Sequence, residues 1–361
     1  MKTIGIIGGG QLGMMLAEAI HSLGAKVIAL DPNPKCSASF VADEIIVSKY
    51  DDIEGLIELG KKSDVITYEF ENVPADALKH LRDNFNIKQG IEPLFDSQNR
   101  IREKENAKLH GLNPPKFKRI LNMDDLKEGL KEIGYPAVYK TTTLGYDGHG
   151  QVVIKTENDI EKVKPYLEGE GILEEFIKYD FETSVIAIRS KNQIITFPMG
   201  INKHKKGILD LCIVDKQLDI FEKIKESAKN FMVSANYYGI LAIEFFVKGD
   251  KFYFNEMAPR PHNSGHYTIE GCNTSQYLEL ARFLLDEELV EPKLLHPTIM
   301  KNILGFDYEN MKKLVKNDDV HIHDYYKSEV REFRKMAHVT FTNLTIDEYN
   351  LKYKNLFCEE E

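Results

Sequence analysis

The opening hundred residues alternate short, continuous apolar runs with helical stretches, and that alternation admits few folds. Thr3-Ile4-Gly5-Ile6-Ile7, Lys26 to Asp31, Glu44 to Val47 and Asp64 to Tyr68 read as strands. A helix is expected from Met14 to Leu23 and another from Ile53 to Lys61. Strands that are apolar along their whole length, not on alternate residues, belong to a parallel sheet covered on both faces. The spacing predicts a doubly wound α/β domain over residues 1–98.

Beyond about residue 90 the pattern changes. A charged helix is expected from Gln98 to His110, stopped by Gly111 and Pro114-Pro115, because proline cannot continue a helix. Strand-like pieces and glycine-rich turns follow, with helices near 124–133, 157–167, 219–237 and 274–286. This mixture reads as α+β and forms a second domain over 99–290. Pro292 and Pro297 bracket the start of a small, strand-bearing C-terminal domain, 291–361.

Charge restricts the partners. The chain carries 57 acidic and 47 basic side chains, a net charge of −10, so its overall field repels nucleic acid and anionic membranes. Neither is an expected partner, and an anionic substrate needs a local basic pocket. Cys36, Cys212, Cys272 and Cys358 lie far apart with no C-x-x-C pair, which suggests neither zinc nor a disulfide framework and fits a reducing cytosol. The N-terminus runs straight into strand-like sequence, and no apolar run approaches the ~18 residues of a membrane span. A cytoplasmic location is expected.

Several constellations carry chemistry. Gly8-Gly9-Gly10-Gln11-Leu12-Gly13 satisfies G-x-G-x-x-G between strand and helix, with Asp31 ending the next strand. It reads either as a dinucleotide site with Asp31 on a ribose hydroxyl or as a tight turn with no ligand. Tyr135 to Lys140 is a strand ending in lysine, and the glycine-rich run Thr141 to Gln151 leads into Val152-Val153-Ile154. Such a flap folds over nucleotide phosphates, although an ordinary mobile β-loop has the same composition.

Leu241 to Val247 and Phe252 to Glu256 form a hairpin around Lys248-Gly249-Asp250-Lys251. A loop centred on Asp250 sets Glu244 opposite Glu256 and Phe246 opposite Phe254. Two carboxylates that close need a shared proton or cation, and magnesium suits them. A two-residue turn at Gly249-Asp250 would instead put the glutamates on opposite faces. The run Asn255 to His266 is densely polar: Arg260 offers a planar fork to an anion, Asn263 and Ser264 neutral donors, His262 and His266 acids or bases. Zinc lacks a third soft ligand there. Tyr326 to His338 concentrates Lys327, Arg331, Arg334 and Lys335, either as a solvated turn or as a pocket for a phosphorylated substrate.

Gly8 to Gly13, Tyr68-Glu69-Phe70-Glu71-Asn72-Val73, Gly145 to Gln151, Asn255 to His266 and Arg334-Lys335-Met336 together resemble the ATP-grasp ligases over nearly the whole chain. Within that family they are most similar to the purine-biosynthesis branch that carboxylates 5-aminoimidazole ribonucleotide with bicarbonate. The resemblance implies a Rossmann-like N-terminal domain, an ATP-grasp domain with a mobile lid at about 115–175, a small C-terminal domain and a homodimer. It also implies that the first glycine loop does not bind NAD. ATP would lie against Arg100, Lys140, Gly145, Tyr146, Asp147, Gly148, His149, Gly150 and Gln151. Glu174, Glu175, Phe176 and Ile177 would form the adenine-side hinge, with Glu182, His204, Asn255 and Glu256 also on the nucleotide. Glu244 and Glu256 would bind Mg²⁺.

Arg260 and His262 are implied for bicarbonate, Lys327 and Arg334 for the ribonucleotide phosphate, and Asp147 beside the reacting amine. Gln11, Leu12, Glu69, Asn263, Ser264 and Lys335 complete the substrate set. The chain departs from the family's pattern at Leu144 and Ala337, where glycine is usual, at His149 for a Lys or Arg, and at Asn99 for an acidic residue. None of these departures removes a proposed metal or phosphate ligand. The competing readings are a formate-using glycinamide ribonucleotide transformylase, an NAD-dependent oxidoreductase, and a nucleotide-binding regulator without turnover.

Overall fold

The computed structural model describes residues 1–143, 150–315 and 317–357. The lid residues Leu144, Gly145, Tyr146, Asp147, Gly148 and His149, together with Cys358, lie outside the described residues. The first domain is the expected parallel sheet. Its strands are β1 (Thr3–Ile7), β2 (Lys26–Asp31), β3 (Glu44–Val47) and β4 (Val65–Tyr68), in the order β3-β2-β1-β4. Helix α1 (Gln11–Ser22) packs with Ile4, Ile6, Val27 and Ala29 on one face. On the other, α2 (Ile53–Lys62) and α3 (Ala75–Asn84) pack with Ile7, Ile28, Leu30 and Ile66. Helix α1 starts three residues earlier than its apolar periodicity indicates, because the Gly8–Gly10 turn feeds straight into it and Met14 N–H already bonds the Gly10 carbonyl.

Helix α3, which buries Ala77, Leu78 and Leu81 on one face, and α4 (Glu92–Ser97), which buries only Pro93 and Leu94, escape the sequence reading. Helix α5 (Arg100–Leu109) begins at Asn99, whose Oδ1 accepts the Ile101 and Arg102 N–H groups. Asparagine is a preferred N-cap, so this departure from the family's pattern keeps the helix start intact.

A second, antiparallel sheet follows, built from β5 (Phe117–Ile120), β6 (Ala137–Thr141), β7 (Gln151–Ile154) and β8 (Gly171–Glu175) in the order β5-β8-β6-β7, with α6 (Met123–Ile133) against it. The glycine-rich run joins β6 to β7 as expected, with Lys140 opposite Gln151. The helix expected near 157–167 is a 3₁₀ helix with Pro165 inside it.

The central sheet has the order β14-β13-β9-β11-β12-β15-β17-β16, with β10 beside β9. Its strands are β9 (Phe181–Arg189), β10 (Ile194–Thr196), β11 (Gly200–Lys205), β12 (Ile208–Val214), β13 (Gly239–Lys248), β14 (Lys251–Ala258), β15 (Thr298–Leu304), β16 (Val320–Asp324) and β17 (Lys335–Thr342). Helices α7 (Asp219–Ser234), α8 (Thr268–Gly271) and α9 (Gln276–Leu285) accompany it. β15 pairs with β12, so the C-terminal strands extend the central sheet.

A column of buried imidazoles ties these parts together. The His266 and His338 rings lie 4.5 Å apart and His338 stacks on His323 at 4.4 Å. Tyr277 and Tyr325 hydroxyls reach Nδ1 of His266 and His338 at 3.0 and 2.9 Å, and His323 pairs with Glu270 at 2.6 Å. Burial, then the neighbouring imidazoles, push His266 and His338 well below the ordinary histidine range. Below about pH 6.5 the unfolded chain therefore binds protons that the folded chain excludes. Their contribution to stability is full above that pH and falls as pH drops, by about 1.4 kcal/mol per pH unit for each such histidine. Glu69 and Glu103, pushed up by burial to about 7 and about 8, act in the opposite sense over the same range, so the test is a difference. From about pH 7.5 down to 5.5 the urea midpoint of the parent should change less favourably than that of His338→Leu, and parallel profiles would refute the assignment.

Candidate active site

The register of the β13–β14 hairpin decides where the two glutamates point. Lys248 pairs with Lys251, so the turn is the two-residue Gly249-Asp250, and Phe246 faces Tyr253 instead of Phe254. Continued unbroken, that register would set Glu244 against Asn255 and turn Glu256 away. A bulge intervenes. Between the Phe245–Phe254 and Ile243–Met257 pairs, Glu244 alone opposes both Asn255 and Glu256. The extra residue restores the phase, and both carboxylates line one cavity of about 860 Å³.

Burial, and then Glu256 and Glu182, push Glu244 well above the usual carboxylate range. Burial acts on Glu256 too, but Arg100, at 3.2 Å, and Lys140 outweigh it and hold that carboxyl low. A buried carboxyl held up by its neighbour invites a proton or a cation, and two oxygen donors of this kind suit Mg²⁺. Glu182 and His204, paired at 3.2 Å, bring further donor atoms within 4.8 Å of Glu244.

The nucleotide-side residues converge on β6, β8 and α5. Lys140 and Lys104 reach the two oxygens of Glu174 at 3.0 and 3.4 Å. Burial raises Glu174, yet Lys104, Lys140 and Arg100 together bring it down to about 2. Val138 and Val153 face each other across β6 and β7, and with Phe176 and Ile177 they give this end of the cavity an apolar slot. Gln151, Glu175, Asn255, Glu182 and His204 also line it. Tyr179, which sequence reasoning missed, stacks on Phe246 at 4.8 Å and donates its hydroxyl to Glu182. Gly150 is not a lining residue; its carbonyl accepts the Thr141 N–H.

At the opposite end the glycine loop is filled from within. Gly10 N–H donates to Glu69 at 2.7 Å, and a Cβ on Gly8 or Gly10 would sit 2.7 or 2.9 Å from that carboxylate. Asp31 is buried and accepts from Gly9 N–H at 2.9 Å and Tyr50 hydroxyl at 2.8 Å. The free N–H groups at the start of α1, which would take a pyrophosphate, thus meet the protein's own carboxylates, and Asp31 is turned away from any ribose. The dinucleotide reading is overturned. Burial pushes Glu69 up to about 7 against the pull of the Gly10 N–H and Arg260. Gln11 and Leu12 line the cavity beside it.

The polar run after β14 closes the floor. Arg260 pairs with Glu71 at 2.6 Å. His262 lies 3.3 Å from Glu244 and 2.8 Å from the Ser264 hydroxyl, and burial, then Arg260 and Lys335, keep its ring well below the ordinary range. Gln276, carrying no sequence signal, clamps the His262 main chain, accepting its N–H at 2.9 Å and donating to its carbonyl at 2.8 Å. Asn263 and Lys335 line the cavity, whereas Ser264 is buried behind His262. His266 is withdrawn from any acid–base role into the histidine column.

Lys327 and Arg334 are not lining residues. Lys327 Nζ donates to the Lys335 carbonyl at 2.7 Å, and Arg334 to the Glu329 carbonyl at 3.2 Å. Burial, then Arg334 and Lys335, push Lys327 down to about 8. The cavity thus joins an apolar slot, a cationic cluster, a carboxylate pair and a second basic corner.

The ATP-grasp domain family matches residues 105–277, the ribonucleotide synthetase preATP-grasp domain 1–94, and the phosphoribosylaminoimidazole carboxylase C-terminal domain 298–352. The chain is 40% identical over 351 residues to an N5-carboxyaminoimidazole ribonucleotide synthase of Staphylococcus haemolyticus, covering 96% of this chain and 94% of that protein. It superposes with a TM-score of 0.95 on the Staphylococcus aureus N5-carboxyaminoimidazole synthetase complexed with ADP, at 38% identity, covering 99% of this chain and 97% of the other. An Aspergillus clavatus synthase in complex with ADP and 5-aminoimidazole ribonucleotide gives a TM-score of 0.90 at 26% identity, covering 98% and 97%.

Proposed function

The chain belongs to the N5-carboxyaminoimidazole ribonucleotide synthase family of ATP-grasp ligases, and from that premise we propose how its cavity performs the reaction. ATP and bicarbonate carboxylate the exocyclic amine of 5-aminoimidazole ribonucleotide, giving N5-carboxyaminoimidazole ribonucleotide, ADP and phosphate. The observation that carries this reading is that one cavity encloses Arg100, Lys140 and the Glu244–Glu256 pair together with Arg260, His262 and Lys335.

The adenine occupies the slot walled by Val138, Val153 and Glu174 to Ile177, with Glu182 and His204 toward the ribose. Lys140 and Arg100 face the phosphates. Mg²⁺, held by Glu244 and Glu256, would neutralise phosphate charge. Arg260 orients bicarbonate for attack on the γ-phosphate, giving carboxyphosphate, and His262, kept neutral by burial, lies beside it. The amine captures carboxyphosphate or the CO₂ it releases. Positioning and fixed charge supply most of the acceleration. The family resemblance assigns Asp147 to the amine and Gly145 to Gln151 to the phosphates, and keeping water from the intermediate is the role it gives the lid. Lys327, Arg334 and Lys335 take the ribonucleotide phosphate; their crowding supports this, because an anion beside them would offset both the burial and the repulsion from Arg334 and Lys335 that push Lys327 down. Gln11, Leu12, Glu69 and Asn263 complete that side, with Ser264 bracing His262 from behind.

The test is ADP release with Mg-ATP at controlled bicarbonate. Release stimulated by the ribonucleotide, with bicarbonate-dependent loss of its free amine, is the expected result. ATP binding without ribonucleotide stimulation would refute the substrate assignment.

Domain limits at 1–98, 99–290 and 291–361 are proposed, with a lid subdomain at about 115–175; the matched family spans 1–94, 105–277 and 298–352 fall inside the three main limits. The cytoplasm is the proposed location: Cys36, Cys212 and Cys272 are free and buried, and among the described residues no helix is long and apolar enough to cross a membrane. A homodimer is also proposed. The strands of the first domain offer it no aromatic surface, since Tyr68 is buried; exposed Phe40 and Tyr326, their rings 5.0 Å apart, do. Sedimentation equilibrium giving 41.4 kDa would exclude it.

A further inference from the structure

We propose that Glu103 and Lys104 of α5 are positioning residues that hold the β14 bulge and thereby keep Glu256 on the face of Glu244. The inference rests on the reading of those two glutamates as the metal pair.

β14 is an edge strand of the central sheet, so the outward N–H and C=O groups of its backbone have no ladder partner. Around the bulge these groups are met from outside the sheet. Lys104 Nζ donates to the Asn255 carbonyl at 2.9 Å, and Met257 N–H donates to Glu103 Oε1 at 2.7 Å. The two bonds bracket Glu256. One residue earlier, Phe254 N–H donates to the Asn113 carbonyl at 2.9 Å.

A bulge interrupts the ladder, and bulges at sheet edges serve to re-aim a side chain. The unbulged alternative continues the register set by the Gly249-Asp250 turn and turns Glu256 to the other face, because a one-residue slip exchanges faces. Something outside the hairpin must therefore favour the bulged form. Glu103 and Lys104 are 3% and 1% exposed, and polar side chains so buried are costly unless they are paired and hydrogen-bonded; Lys104 meets Glu174 and the Asn255 carbonyl, and Glu103 meets the Met257 N–H. Their helix is anchored at the same place, since Arg100 N–H donates to the Thr142 carbonyl and its guanidinium to Glu256.

The test compares Glu103→Gln, which keeps the acceptor oxygen, with Glu103→Asp, which is one methylene short, and Glu103→Met, which lacks it. Mn²⁺ affinity is measured by electron paramagnetic resonance on the full chain with ADP, beside ADP affinity in EDTA. Glu103→Asp and Glu103→Met are expected to bind Mn²⁺ about tenfold or more weakly, Glu103→Gln within about threefold of the parent, and metal-free ADP affinity is expected to hold. Parent-like Mn²⁺ affinity in Glu103→Asp or in folded Glu103→Met overturns the proposal. So does an equal loss in Glu103→Gln, which would assign the effect to charge. If Glu103→Met does not fold, the aspartate variant decides alone. Unchanged Mn²⁺ binding in Glu256→Gln would instead remove the metal-pair reading itself.

Discussion

Glu256→Ala should lower ribonucleotide-dependent ADP release by about a thousandfold, as when a fixed charge aimed at the reacting phosphates is lost. Arg100 and Lys140 hold the Glu256 carboxyl low against its burial, while burial and Glu256 itself push Glu244 well above the usual carboxylate range. Removing Glu256 takes one oxygen from the pair and leaves Arg100 at 3.2 Å without its carboxylate. Fold stability should survive, because Arg100 still feels Glu103 and Glu174 and a buried like-charge contact is relieved. The thermal midpoint measured beside the rate separates the two effects. Activity within tenfold of the parent would remove Glu256 from the metal pair.

Arg260→Lys should reduce kcat/KM for bicarbonate by about a hundredfold while leaving the KM for ATP nearly unchanged. The guanidinium spends one arm on Glu71 at 2.6 Å and another on the Pro261 carbonyl at 3.0 Å, and its planar fork can still present a donor to an anion in the cavity. Lysine keeps the charge but concentrates it at one point, so it cannot hold Glu71 and orient a planar anion together. Bicarbonate and ATP titrations of the variant check this. An equal loss on both substrates would point to general disruption, and no loss would move the bicarbonate site away from Arg260.

How much of this was legible in the sequence varies with the distance over which each feature is decided. The parallel sheet and the strand pair flanking the lid depend on apolar period; the cap at Asn99 is equally local but went unread. The run Ala258 to His266 was recognisable as a site because its polar residues are contiguous. The Lys140 position was legible for the same reason, at the end of a strand before glycines.

The hairpin is the instructive case. The sequence reading brought Glu244 and Glu256 together through the wrong turn; the structure does so through the tighter turn plus one extra residue. Turn length and bulge are nearly equal local choices, and side chains 151 and 154 residues away meet the backbone of the one that forms. Helix α5 gave no warning of this, since two of the four residues on its buried face, Glu103 and Lys104, are charged types beside Ile101 and Ala107, and its apolar residues alone show no period.

What the sequence determined by itself is therefore most of the elements, α3 and α4 excepted, and the chemical groups they carry, because propensity and periodicity act within a few residues. Tertiary structure alone decided the hairpin register, the burial of Glu103 and Lys104, the Gln276 clamp on His262, the carboxylates filling the glycine loop, and the joining of the C-terminal strands to the central sheet. Each of these depends on a partner far away in the chain. In a low-dielectric interior a charge or a backbone polar group is stable only where such a partner meets it.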